Sequence, residues 1–354
     1  MVKPKRDNSL STRPVSLKTL AAYLNLDPTT VSVVLNDVPG RSIPEATRER
    51  IRKAAVKFNY EPSFLARSLR NRRTMTIGIL VPVLADGYHA EVMTGIGDKL
   101  LDEKYFYFIA HHRHRTDLIE QYPRMLINRG AEGLIAIDTN LVDKLPVPVV
   151  AIGGRRRITG VTSVELDHHK AAELTIRHLY DLGHRTIAVM RGQPYSSDSD
   201  ARWQGIIEVA RDFGLSIQPE LTMQLEKDLT SPELGYPVVQ QLLTHHRRFT
   251  AVISFNDIAA IGCIRALHDS GLRVPQDVSV VGFDDIKEAA FQTPSLTTIR
   301  QPLQKMGELA VELLLQRLGS SEAKTPPHVA AEPELVVRES TGPSRLGLRK
   351  TKRA

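Results

Sequence analysis

A chain of 354 residues exceeds what one hydrophobic core ordinarily serves, so two or three folded units are expected. With 42% hydrophobic and 25% charged residues it has the composition of a globular protein without long disordered tracts, and its one cysteine, Cys263, excludes an internal disulfide or a cysteine-based zinc cluster. The net charge of +7 is uneven: residues 1–73 hold 15 Lys or Arg against 6 Asp or Glu, and the remainder holds 32 against 34.

A basic first segment suits a polyanion, since each neutralised phosphate releases condensed counterions; a solvated basic arm would have the same composition. Residues 1–14, MVKPKRDNSLSTRP, read as such an arm, and no apolar stretch follows them as a signal peptide would require. No run approaches the roughly 20 apolar residues that span a bilayer. The expected compartment is therefore a reducing cytoplasm, with the protein at the nucleoid and no membrane partner.

From Ser16, Leu17, Leu20, Ala21 and Leu24 recur on one helical face, with Ser16 as N-cap and Asn25 able to end the helix in a left-handed conformation. Asp27 and Pro28 then supply a cap and a first-turn proline for a second helix. This is a helix-turn-helix. Val31, Val34 and Leu35 form the buried face of the second helix, leaving Pro28, Thr29, Ser32 and Val33 to face a major groove. A third helix, from about Pro44 to Asn59, turns Ile51, Ala54, Ala55 and Phe58 inward to complete a core.

The stretch SLKTLAAYLNLDPTTVSVVLN with IPEATRERIRKAAVKFNYEPSFLARSLRNRRT resembles the headpiece of the lactose-repressor family of regulators. The resemblance implies a DNA-binding domain over residues 15–60 and a hinge helix and linker over 61–74. It implies DNA contacts from Ser16, Pro28, Thr29, Thr30, Ser32, Val33 and Asn36, and from Ser63, Ala66, Arg67 and Leu69 in the hinge, where Leu69 matches the family's minor-groove wedge. Asn36 and Tyr60 would also hold the headpiece together. Three residues depart from the family: Asn25 stands for glycine, Asp27 for serine and Val33 for arginine. Asn25 tolerates positive φ, Asp27 still caps but repels phosphate, and Val33 exchanges a guanine-reading fork for a surface that suits a thymine methyl. Independently of family, the hinge SFLARSLR is too short to be a stable helix alone and would order only when paired in a minor groove.

From Thr76 onward the runs TIGILVP, YFYFIA, GLIAI, VPVVAI, TIAVM, TAVISF and VSVVGFDD alternate with helical patterns, which predicts parallel sheets covered on both faces. Such sheets bind ligands beyond the carboxyl ends of their strands. The polar residues there include Asp86, His111, His112, Asp138, Asp167, Asn256, Asp257 and Asp284. They suit a polyhydroxylated ligand, while each Asp or Asn could equally cap the next helix. The lactose-repressor resemblance continues through LYDLGHRTIAVM, ARWQGI, FNDIAAIGCIRALHDSGLRVPQDVSVVGFDD and SLTTIRQP. It implies an effector-binding and dimerisation domain over residues 75–342, made of two α/β subdomains like a periplasmic sugar-binding protein and crossed by three segments, before a basic tail at 343–354. It places effector contacts at Asp167, Arg202, Asn256, Asp284 and Gln301, beside the candidates Asp86, His111 and Asp138.

The pairs and runs of histidine at 111–115, 168–169 and 245–246 do not read as a metal site, because adjacent side chains project apart and no spaced partner follows. Neither GxxxxGK[ST], GxSxG nor a convincing acid/base pair is present, so no cofactor and no enzyme activity are expected. The sequence thus predicts an all-α helix-turn-helix headpiece joined to an α/β two-subdomain body. The expected function is a repressor that binds a pseudo-palindromic operator as a homodimer under control of a small effector. Sugar, sugar phosphate and purine stay open as effectors, with a sugar or sugar derivative preferred.

Overall fold

In the computed structural model, residues 15–37, 40–61, 73–84, 87–153, 158–227, 229–246, 248–319 and 328–345 are described. The basic arm at 1–14, Ser63, Ala66, Arg67 and Leu69 of the hinge, Asp86 and tail residues 346–354 lie outside them. The chain divides into two compact units, residues 1–74 and 75–354.

The first unit holds α1 (Leu17–Leu24), α2 (Pro28–Leu35) and α3 (Glu45–Lys57). Local chemistry sets their ends. Ser16 Oγ accepts from the Thr19 amide at 3.2 Å, Asn25 closes α1 at φ 51°, and Asp27 Oδ1 accepts from the Thr29 amide at 2.7 Å. Leu20, Leu24, Val31, Val34, Ile51, Ala54 and Ala55 share one core. Val33 departs from expectation: it is buried, whereas Pro28 and Thr29 are exposed. At about 100° per residue it flanks Val34 at the margin of the apolar stripe, and this apolar side chain is withdrawn from water rather than presented to it.

The body opens with β1 (Thr76–Val81), α4 (Gly87–Asp102), β2 (Phe106–His111), α5 (Thr116–Asn128), β3 (Gly133–Ile137), β4 (Val149–Ile152) and β5 (Val161–Leu166). There follow α6 (His168–Asp181), β6 (Ile187–Arg191), α7 (Ser199–Asp212), β7 (Thr222–Gln224), α8 (Tyr236–His245), β8 (Ala251–Ile253) and α9 (Asp257–Asp269). The chain ends with β9 (Ser279–Asp284), α10 (Lys287–Phe291), β10 (Thr297–Arg300), α11 (Leu303–Gly319), β11 (His328–Ala331) and β12 (Glu334–Val336).

These strands form two sheets, ordered β11-β5-β4-β3-β1-β2 and β12-β10-β9-β8-β6-β7. All described pairings are parallel except β10 with β12. The parallel strands are apolar because both of their faces are covered; β1, β3, β4 and β9 are buried at every position. The edge strands β2 and β11 have no buried residue, and β2 leaves Phe106, Phe108 and Ile109 exposed. The chain leaves the first lobe after β5, returns after β10 so that α11 joins the first lobe's core, and leaves again between β11 and β12. These are three crossings, as the resemblance implied. Residues 343–345 belong to the packed body, since the Ser344 amide donates to the Leu182 carbonyl at 2.8 Å and Arg345 pairs with Asp277 at 3.0 Å.

Candidate effector cleft

In both sheets the strand order reverses, between β1 and β3 and between β6 and β8, and the loops leaving these strands part in opposite directions. A cleft opens there, lined from the first lobe by Val83, Tyr88, His89, His114 and Asp138. The second lobe contributes Gln193, Tyr195, Ser196, Asp198 and Arg202 after β6, Leu229 and Thr230, Phe255 and Asn256 after β8, and Asp284 after β9.

Asp138 stands at φ 40° and Asp284 at φ 118°, left-handed backbone that favours glycine, so two carboxylates are held at the strand ends against local preference. Asp138 Oδ1 accepts from the Ser197 amide at 2.7 Å, bridging the lobes, while burial raises the acid's pKa. Gln301 Nε2 donates to Asp284 Oδ1 at 2.7 Å. Asn256 Oδ1 caps α9 by accepting from the Ala259 amide at 2.9 Å. Arg202, 6% exposed, donates through Nη1 to the Phe255 carbonyl, and its guanidinium carbon lies 3.5 Å from the Phe283 ring centre and 4.4 Å from that of Phe255. Its Nη2 is 4.0 Å from Asp198. Burial, reinforced by the charges of Asp198, Asp138 and Asp284, raises the Tyr88 phenol well above its usual range, so it remains a donor.

Behind the first-lobe wall, Thr139 Oγ1 donates to the Ile137 carbonyl at 2.7 Å and so accepts from His112 Nε2 at 2.8 Å, while His112 Nδ1 accepts the His114 amide at 3.1 Å. Both ring nitrogens are engaged in the neutral tautomer. Burial, then the neighbouring charges of His114, His111 and His89, brings the His112 pKa down to about 3.

Of the residues expected from sequence, Asp138, Arg202, Asn256 and Asp284 meet in the cleft. His111 does not: it ends an edge strand with its side chain exposed, and the chain turns His114 inward instead. Asp167 also lies off the lining, its Oδ1 capping α6 through the Lys170 amide at 2.8 Å. Gln301 is buried behind Asp284 rather than on the wall. Asp198, Tyr195, His89 and His114 were not anticipated; they lie on turns or in a first helical turn where periodicity carries no signal. Among the described residues no group of three or more His, Cys, Asp or Glu is placed to hold a metal ion. No helix there is long and apolar enough to cross a membrane.

A helix-turn-helix unit followed by a two-lobed body with a polar cleft defines a class of ligand-responsive DNA-binding regulators. Residues 176–341 match the periplasmic binding protein-like domain. Over 341 residues the chain is 31% identical to the HTH-type transcriptional repressor PurR of Yersinia pestis bv. Antiqua, covering 93% of this chain and 98% of that one. The Lac repressor dimer bound to operator and the anti-inducer ONPF superposes with a TM-score of 0.83 at 26% identity, covering 93% of this chain and 100% of the other. The transcriptional regulator CelR in complex with cellobiose gives 0.68 at 27%, with the same coverage. This chain belongs to the LacI family of DNA-binding transcription regulators.

Proposed function

We propose that the protein is a cytoplasmic repressor whose operator affinity is set by a carbohydrate held between the two lobes. The observation that carries this reading is the convergence of Asp138, Arg202, Asn256 and Asp284 from both sheets on one cleft. Carboxylates, an amide and an arginine beside the apolar surfaces of Val83, Leu229 and Phe255 are the equipment for a ligand with many hydroxyls and some apolar face. The cellobiose complex of CelR, a similar fold, is consistent with that chemistry.

The exposed apolar residues of edge strand β2, with Phe106 61% exposed, call for a covering surface, and we take this to be a second copy of the chain. A homodimer would present two headpieces to a pseudo-palindrome, with Thr29, Thr30 and Ser32 toward bases, Ser16 and Asn36 supporting them, and Leu69 of the hinge as the wedge. Ligand control requires different affinity for two arrangements of the lobes, because equal affinity would shift nothing. The test is selection of bound DNA from random sequence with the full chain, followed by release assays with a panel of sugars. A palindromic site released by one sugar class is expected. Binding without sequence preference, or release by no sugar but by another metabolite class, would overturn the respective half of the reading.

A further inference from the structure

The charge the ligand can carry is written in the cleft's own charges. Asp138, Asp198 and Asp284 face it, and Arg202 is the one Lys or Arg among the described lining residues. That guanidinium is already engaged by the Phe255 carbonyl, by the Phe255 and Phe283 rings and by Asp198. Its Nε–H is a buried donor without an acceptor and its Nη2 lies 4.0 Å from Asp198, so any two-pronged grip this edge of the guanidinium gave a phosphate would be made beside that carboxylate.

Helix N-termini are the other common seat for an anion, and two that open on this cleft already carry carboxylates of the protein's own, the second also a side-chain cap. Asp198 is the N-cap of α7, with Asp200 in its first turn. Asn256 caps α9, and the buried Asp257 in its first turn accepts from Thr298 Oγ1 at 2.6 Å and from the Ile286 amide at 3.0 Å. A phosphate or carboxylate brought here would meet the carboxylates of Asp138, Asp198 and Asp284 with Arg202 as the one Lys or Arg among the described lining residues beside His89 and His114, and that excess of like charge opposes it.

We propose that the cleft selects an uncharged, multiply hydroxylated ligand and rejects its phosphorylated or carboxylated counterpart, with Asp138, Asp198 and Asp284 as the determinants of that selection. This rests on the cleft being the effector site. The carboxylates accept hydroxyl protons from a neutral polyol, and esterification with phosphate removes such a donor while adding charge.

The test is calorimetry on the full-length chain with matched pairs: hexoses, pentoses, cellobiose and nucleosides, each beside its phosphate ester, with inorganic phosphate alone as a further probe. In any scaffold that binds, the neutral member should bind at least about 100-fold more tightly than its ester, and millimolar phosphate should not raise the melting temperature. Asp198→Asn and Asp284→Asn should each narrow the neutral-to-ester ratio by about 10-fold, an effect a merely structural role would not produce. An ester that binds as tightly as its neutral partner, or phosphate protection that disappears in Arg202→Ala, would overturn the proposal. An unchanged ratio in both Asn variants would remove those carboxylates as determinants. A neutral nucleoside that binds where sugars do not would sink the carbohydrate reading and leave the charge selection standing; preference for a phosphorylated hexose would do the reverse.

Discussion

The two lobes of the body share one plan and carry different equipment. In each, the first five strands follow the same order, and in each a pair of helical segments is pressed together over glycine. A Cβ on Gly95 of α4 would run into the Gln304 carbonyl of α11, and one on Gly262 of α9 would run into the Pro232 carbonyl just before α8. The cleft residues do not correspond in this way. The second lobe brings an arginine clamped between rings, an amide that caps a helix and an aspartate tied to Gln301. The first brings Asp138 and a histidine wall. Burial and backbone hydrogen bonding impose the repeated topology, while the loops beyond the strands escape both constraints and so hold the chemistry.

The sharpest way to break this contrast is Arg202→Ala. Loss of the clamped donor should weaken effector binding by about 2 to 4 kcal/mol and leave an operator-binding protein that no longer responds. Calorimetry with the sugar found by release, alongside a gel shift, decides it; wild-type affinity and response would show that the second lobe is not the ligand's anchor. The shared plan is tested by Gly95→Ala and Gly262→Ala, each expected to cost about 1 to 3 kcal/mol in urea unfolding because backbone, not a flexible side chain, stands in the way. A loss in one lobe alone would end the equivalence.

The smallest effect concerns the histidine wall. His112 holds its proton only near pH 3 when folded but titrates near its ordinary 6.5 when unfolded, so the unfolded chain binds the extra proton first. Stability should therefore fall as pH drops below about 6.5, by at most roughly 1.4 kcal/mol per pH unit from this group. His178 and His184 in the second lobe are lowered in the same direction by burial, so His112→Gln should remove part of the slope and no more. Urea midpoints at pH 5 and 7 measure it, and an unaltered slope in the variant would clear His112 of the role.

Much of the fold was legible because its determinants are local. Ser16, Asn25 and Asp27 mark helix ends through bonds spanning no more than about five residues, and the apolar runs from TIGILVP to VSVVGFDD all became strands, although YFYFIA, expected to be covered on both faces, is the exposed edge strand β2. The cleft was half legible by the same logic, since Asp138, Asn256 and Asp284 follow those runs directly and Arg202 follows from the family's ARWQGI stretch. The rest depended on where a chain points once its strand has ended. His111 and His114 are three residues apart where β2 runs into a turn, and only three-dimensional phase tells which faces the cleft. Asp167 illustrates the converse, because a strand-end aspartate satisfied by its own helix looks the same in sequence as one turned toward a ligand. Val33 was misjudged because a two-turn helix has too few residues to define the margin of its apolar face.

The left-handed backbone at Asp284 also has a bearing on how this protein can drift under selection. Glycine at position 284 would relieve a strained φ of 118°, an easing worth on the order of 1 kcal/mol, while deleting a carboxylate of the cleft. The exchange would also leave the buried Gln301 amide without its acceptor, at about 1 to 3 kcal/mol, so a laboratory screen that rewards heat resistance alone finds no gain at this position. Strain in the backbone and the bond to Gln301 thus pull in opposite directions at one residue, and the bond is what holds position 284 against drift to glycine.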